Sequence, residues 1–542
     1  MQALSLCQAT RRVATGNRAI FVICICLALC ASGVVPVKAS DERKKRSTAE
    51  RALRNGDFDA AARLFREVLV KYPKDANARL RLSFALLKLR ELQDAFDQAA
   101  RVLAAEPNSA RAYALLGSAL LAVGNFKDSI TAFRTSLTLD ENESMAIAGL
   151  AMINFYENRL DESISGLRRA AFLDPREPDH VFNLAQAAAR SERYREAANA
   201  YERFLRVAPI TDADRRARIQ GLIDFLRFLG EQGRLYRPAG EANAVVPFEL
   251  VNNRPVVEVR LGNSKEVLRF VVDSGSGMCV VSDEAAQRIG LRSVARGGAA
   301  RAIGGGGRFE IVYGFLPSLQ MGAAVVENVP VYIRRFHGDA QKADGYIGLS
   351  VMAKYLTEID YGARRISFTR NGERRAANNE AAKVSESNSD PKTTEIVARN
   401  TPSGFWSGEI RLDGIDKPLN FIIDTGASIS VISEQLATRE EMNRFARGAR
   451  LRVFGAAGVA ENVPMLVLPR LLLGAYARAN VPAVVLDMNS INETAGFEQT
   501  GIIGGNVLRH FRVTFDFGRM SVRLEPLAAR RTNSTEEAAR RK

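Results

Sequence analysis

Cysteine is almost missing beyond the first thirty residues: Cys7, Cys24, Cys26 and Cys30 lie there, and only Cys279 follows. That excludes an intramolecular disulfide framework and a catalytic or metal-binding cysteine cluster. Cys279 sits in an apolar run and reads as a small buried hydrophobe. Histidine is as sparse, with His180, His337 and His510 at no metal-ligand spacing, which argues against a zinc site or a serine triad. The run Gly304-Gly305-Gly306-Gly307 is not followed by Lys-Ser/Thr or a helical pattern, so it is no phosphate loop. No nucleic-acid motif with interleaved aromatics occurs either. The expectation is a protein with no cofactor, no metal and no nucleic-acid partner.

What is present is ample. The 542 residues predict three or four domains at roughly 150 residues each. A composition of 46% apolar and 25% charged residues is ordinary for globular domains. The net charge of +15 is concentrated at the ends, since residues 1–46 carry a net +6 and the tail from Pro526 a net +3. The body is only mildly basic. Arg11, Arg12 and Arg18 precede one uncharged run of 17 residues, Ala19 to Val35, and Val37-Lys38-Ala39 offers a small-x-small cleavage site. Residues 1–39 therefore read as a signal peptide or an N-terminal anchor, and the predicted location is periplasmic or extracellular, with a membrane tether at the N-terminus as the variant.

From about residue 42 a period of 34 takes over. Pro73, Pro107, Pro175 and Pro209 fall on it, as do the small residues Ala49, Ser83, Gly117, Ala151 and Ala185, and Ala61, Ala95, Ser129, Ser163 and Ala197. Small side chains let paired helices approach closely, and no single pair buries its apolar face alone. This pattern resembles the tetratricopeptide repeat and predicts an α-solenoid over 42–235. The amphipathic stretch Arg215 to Leu235 would close its end. The resemblance implies a surface for a protein partner; a spacer or dimerisation arm is the plainer alternative.

After residue 245 the texture changes to short Val/Ile-rich runs broken by Gly and Pro, the pattern of strands and hairpins. Phe270-Val271-Val272-Asp273-Ser274-Gly275-Ser276 and Phe421-Ile422-Ile423-Asp424-Thr425-Gly426-Ala427 are 151 residues apart. The match runs without gaps from Glu258 to Ser282 against Glu409 to Ser433. An Asp closing a buried aliphatic run is costly to ionise without partners. The hydroxyl and glycine that follow allow a tight turn whose donors can serve the carboxylate. Two such Asp in duplicated units suggest a facing pair that shares one proton, a base and an acid together.

At these residues the chain resembles the pepsin/retropepsin aspartic proteases, with the distal motifs Tyr346-Ile347-Gly348 and Ile502-Ile503-Gly504 also in place. The resemblance implies two all-β lobes at 245–370 and 405–526, a polar linker at 371–404 and a basic polar tail at 527–542. It makes Asp273 and Asp424 the catalytic dyad, supported by Ser274, Gly275, Ser276, Thr425, Gly426 and Ala427. It puts Gly304, Gly305, Gly306 and Gly307, and Gly455 and Gly458, in flaps over a protein or peptide substrate. The sequence leaves open whether the lobes pair within one chain or between chains. The fold expected is thus multidomain α + β: a tetratricopeptide-repeat solenoid, then two retropepsin-like lobes. The implied activity is aspartic endopeptidase, with the repeats recruiting substrate or partner; a non-catalytic binding scaffold with protease-like lobes is the alternative.

Overall fold

The computed structural model describes residues 37–210, 213–301, 308–337, 343–370, 393–456 and 458–527. The apolar leader, the glycine run 304–307, most of the linker and nearly all of the tail lie outside the described residues.

The 34-residue period is realised as helix pairs. The first compact unit ends at Glu91 and contains helices Val37–Arg54, Phe58–Lys71 and Ala76–Leu89. Asp57 and Asp75 cap the last two by accepting from the backbone N–H of Ala60 and Ala78 at 3.1 and 3.0 Å. Buried Ala61, Phe65, Ala85 and Leu86 form their inner faces.

In the second unit, Leu92–Lys542, helices Leu92–Ala105, Ala110–Ala122, Phe126–Leu139, Ser144–Tyr156, Leu160–Leu173, Pro178–Arg190 and Tyr194–Val207 continue the period. The small residues sit where helices touch: the Ser129 hydroxyl donates to Gly117 O at 2.8 Å, and Ala151, Ala185 and Ala197 are buried.

The helix Ala213–Leu229 does more than close the stack. It packs on the preceding helix and also along the strand Ser293–Arg301 of the first lobe. Phe225 stacks on Tyr313 at 4.2 Å, and a side chain at Gly221 would collide with the backbone of Arg296 and Gly297. The array reaches the second lobe too. Phe497, wholly buried, stands edge-on to Phe126 and Tyr156 at 5.0 and 5.1 Å. Nearby, Glu498 N donates to Ala122 O at 2.8 Å, and Arg190 donates to Thr401 O at 2.9 Å. One face of the repeats is therefore spent on the chain's own lobes.

The lobes follow one plan. In the first, Leu268–Val272 pairs antiparallel with Arg254–Leu261 and parallel with Gly345–Ile347. In the second, Leu419–Ile423 pairs the same way with Trp406–Leu412 and Gly501–Ile503. The lobes meet within one chain: Tyr355–Asp360 of the first runs antiparallel to Phe511–Asp516 of the second, with Glu358 opposite Thr514. Arg512 clamps this seam, reaching Asp360 at 3.1 Å and Glu525 at 3.3 Å. One assignment needs correction. Residues 394–400, read from sequence as linker, form the strand Thr394–Asn400, paired with Ser521–Pro526 and with Trp406–Leu412. Its side chains alternate between buried and solvent-facing, so the strand is half-polar in composition while still closing the second lobe.

Candidate active site

Each Asp leaves the end of a central strand. Leu268–Val272 and Leu419–Ile423 are almost entirely buried and lie between two neighbours, so their ends are rigidly placed. The backbone N–H of Asp273 donates to Ile347 O and that of Asp424 to Ile503 O, both at 3.0 Å. These bonds tie each Asp to the distal motif of its own lobe, which is why the aliphatic-aliphatic-Gly segments recur in register.

The two turns then lock to each other. Ser274 N donates to Thr425 Oγ1 and Thr425 N to Ser274 Oγ, both at 3.0 Å. Each hydroxyl in turn donates across the seam at 2.7 Å, Ser274 to Ile423 O and Thr425 to Val272 O. All four groups are fully satisfied in a site closed to water, so deleting either hydroxyl would strand donors and acceptors of the other lobe. Gly275 and Gly426 have no room for a side chain: a Cβ on Gly275 would run into the Asp424 carboxyl, and one on Gly426 into that of Asp273. The glycines let the carboxyls meet.

They do meet, and they are not equivalent. The two carboxyl groups hydrogen-bond each other. Burial pushes Asp273 well above the ordinary carboxylate range, and the charge of Asp424 adds to this, against the N–H of Gly275 at 2.9 Å and the Arg334 cation. Burial raises Asp424 as well, but the hydrogen bond from Asp273 opposes that rise, helped by the N–H groups of Gly426 at 2.7 Å and Ala427 at 3.1 Å and by the Arg254 cation. Both carboxyls are raised and in contact, so the pair holds one proton and one charge between them.

The remaining predicted residues divide. Ala427 serves the site through its N–H, whereas the Ser276 hydroxyl turns away and donates to Met278 O at 2.7 Å. Gly455 and Gly458 face each other at the tip of the hairpin Ala446–Leu473; Gly304, Gly305, Gly306 and Gly307 lie outside the described residues, although both arms of their hairpin, Ser293–Arg301 and Arg308–Met321, are paired. Cys279 is buried, its sulfur accepts from Gly348 N at 3.4 Å, and burial pushes the thiol up to about 12, so it is inert. Among the described residues no group of His, Cys, Asp and Glu could hold a metal ion.

Three residues of the site escaped the sequence reading in this role: Arg254, Arg334 and Tyr346. Arg334 acts on Asp273, Arg254 acts on Asp424, and Tyr346 feels both Asp and both Arg. Extending the duplication four residues further would have flagged Arg254, because Phe405 occupies its place in the second copy.

Comparison with known proteins agrees with this architecture. Residues 257–351 and 408–507 match the aspartyl protease family model. Residues 52–119, 110–143 and 148–215 match tetratricopeptide-repeat models. Similar solved structures include an aspartic proteinase from Irpex lacteus, 13% identical, covering 54% of this chain and 100% of its own with a TM-score of 0.36. A thermophilic tetratricopeptide-repeat protein from Thermus thermophilus is 21% identical over 34% of this chain and 98% of its own, with a TM-score of 0.30. MamA from Desulfovibrio magneticus RS-1 is 22% identical over 32% of this chain and 97% of its own, with a TM-score of 0.23. No curated protein matches the chain. The chain thus carries tetratricopeptide repeats in its N-terminal part, followed by a retropepsin-like aspartyl protease domain built from two segments.

Proposed function

We propose that the protein is an aspartic endopeptidase that forms its dyad, Asp273 and Asp424, within one chain. The observation that carries this reading is the contact of two buried carboxyls held by a reciprocal hydroxyl brace. The Asp424 carboxylate is the base that takes a proton from a water as its oxygen attacks a peptide carbonyl. The Asp273 carboxyl gives its proton to that carbonyl oxygen. The tetrahedral adduct then collapses: Asp424 passes its proton to the departing amine as the C–N bond breaks, a hydroxyl of the adduct returns a proton to Asp273 as the new carboxyl forms, and the pair is restored to one proton and one charge. Ser274 and Thr425 touch no substrate in this scheme and act by positioning. The hairpin Ala446–Leu473, with Gly455 and Gly458 at its tip, closes over the substrate.

Tetratricopeptide repeats generally mediate contacts between proteins, and here they are proposed to recruit a protein substrate or partner through surface not used against the lobes. The leader at 1–39 would export the protein or tether it at a membrane. The experiment is cleavage of a diverse peptide library between pH 3 and 8 by the wild type and by Asp273→Asn and Asp424→Asn. The expected outcome is cutting by the wild type and a loss on the order of 100- to 10,000-fold in each variant. A wild type that cuts nothing would leave the lobes as a binding scaffold.

A further inference from the structure

The two walls beside the dyad are built at equivalent positions from opposite chemistry. Arg334 ends the strand Ala324–Arg334 and lies in register with Ser282; in the second lobe Leu486 holds that place against Ser433. Tyr346 pairs with Val271 where Ile502 pairs with Ile422. On the second lobe these positions are apolar throughout, since Leu486 and Ile502 belong to one buried cluster with Phe405, Ile422 and Val484.

The first lobe instead presents a line of rings leading to a cation. Tyr346, on the strand beside the one that ends in Asp273, packs against Phe336 at 5.0 Å. The Arg334 guanidinium lies 5.8 Å from the Phe336 centroid and 5.4 Å from that of Phe309, which belongs to the hairpin arm Arg308–Met321. Aromatic faces hold a guanidinium flat and leave its N–H edge as the surface a partner would meet. Among the described residues, the water-shielded Nε of Arg334 has no hydrogen-bond partner. Arg254 repeats the feature: only 5% exposed, it too has an Nε without a partner among the described residues. A buried donor left unmet is costly, so a partner that supplies acceptors to these two is favoured. A carboxylate, planar and able to accept two parallel N–H bonds, fits that edge.

We infer that the first-lobe wall is a specificity pocket for an anionic side chain, with Arg334 as its principal donor and Arg254 supporting it. The substrates are peptides that set an Asp or Glu against Arg334 and an apolar residue against Leu486 and Ile502. This rests on the endopeptidase reading and deepens it. The hairpin Ala446–Leu473 contributes in the same sense, because Arg447, Arg450, Arg452 and Arg470 outnumber the single Glu461 and draw acidic chains toward the site.

The test measures binding and cutting separately. Matched peptides carrying Glu, Gln or Leu at successive positions beside an apolar residue are titrated at pH 6 against full-length Asp424→Asn protein by fluorescence anisotropy, and are offered to the wild type for cleavage. At one position Glu is expected to bind about tenfold or more tighter than Gln, the range of a hydrogen bond to a charged group. Adding Arg334→Leu or Arg334→Gln to that protein abolishes the preference, and Arg334→Lys restores part of it. Equal binding of Glu and Gln everywhere, or a preference that survives both neutral substitutions, overturns the pocket. Glu-selective binding with no cutting by the wild type upholds the pocket and sinks the endopeptidase reading; cutting without Glu selectivity does the reverse.

Discussion

The two lobes share a backbone plan and differ at three positions around the dyad. Strand pairing, the Asp-turn and the distal Gly segment superpose by register, yet Arg254, Arg334 and Tyr346 of the first lobe stand where the second has Phe405, Leu486 and Ile502. The shared plan is what two carboxyls need in order to meet. The difference gives the two carboxyls unequal surroundings: the Arg254 cation and two N–H groups act on Asp424, while the Arg334 cation and one N–H group act on Asp273. A duplicated unit thus supplies symmetry where geometry requires it and asymmetry where chemistry does.

The largest test of that division concerns how each lobe is anchored to the repeats. Phe497 docks the second lobe through a fully buried aromatic cluster, and Phe225 docks the first by stacking on Tyr313. Phe497→Ala and Phe225→Ala should each cost about 3–5 kcal/mol, read by denaturant unfolding. If the lobes were merely tethered to the array, both would unfold like wild type.

Next in size is the brace. Ser274→Ala and Thr425→Val each leave a buried N–H and C=O of the opposite lobe unmet, at about 1–3 kcal/mol per group. Because the bonds are reciprocal, the two variants should lose stability and kcat/KM by similar factors. A large loss from one and none from the other would break the symmetry claimed for this part of the site.

A smaller effect exposes the asymmetry. Asp273 has a raised pKa when folded, so the stability tied to its proton is complete below the unfolded value near 3.9 and is lost as pH rises through the folded value. Asp273→Asn cannot ionise and should therefore gain thermal stability over wild type at pH 7, with little gain at pH 3. Asp424→Asn should gain less, because it gives up a charge that Gly426, Ala427 and Arg254 stabilise. Equal gains in the two melting curves would mean that the carboxyls are interchangeable.

Much of this was legible before the structure. The period of 34 announced the helix pairs, because the spacing of small residues reflects a local packing need. The duplicated Asp segment named the dyad and its hydroxyls, because a buried carboxyl demands particular neighbours in the chain. What stayed hidden depends on distant partners. Thr394–Asn400 looks polar because only every second side chain faces inward. The helix Ala213–Leu229 shows extra apolar positions without saying that a strand of the first lobe covers them. Arg334 is one arginine among many until strand register gives it the place that Leu486 holds in the second lobe.

The account stands most directly on one cleavage assay at matched concentrations: wild type, Asp273→Asn, Asp424→Asn and an equimolar mixture of the two variants. One dyad per chain predicts that the wild type cuts and that neither variant nor their mixture does. Cutting by either variant, or activity regained on mixing, would contradict a single dyad built from the two unequal lobes of one chain.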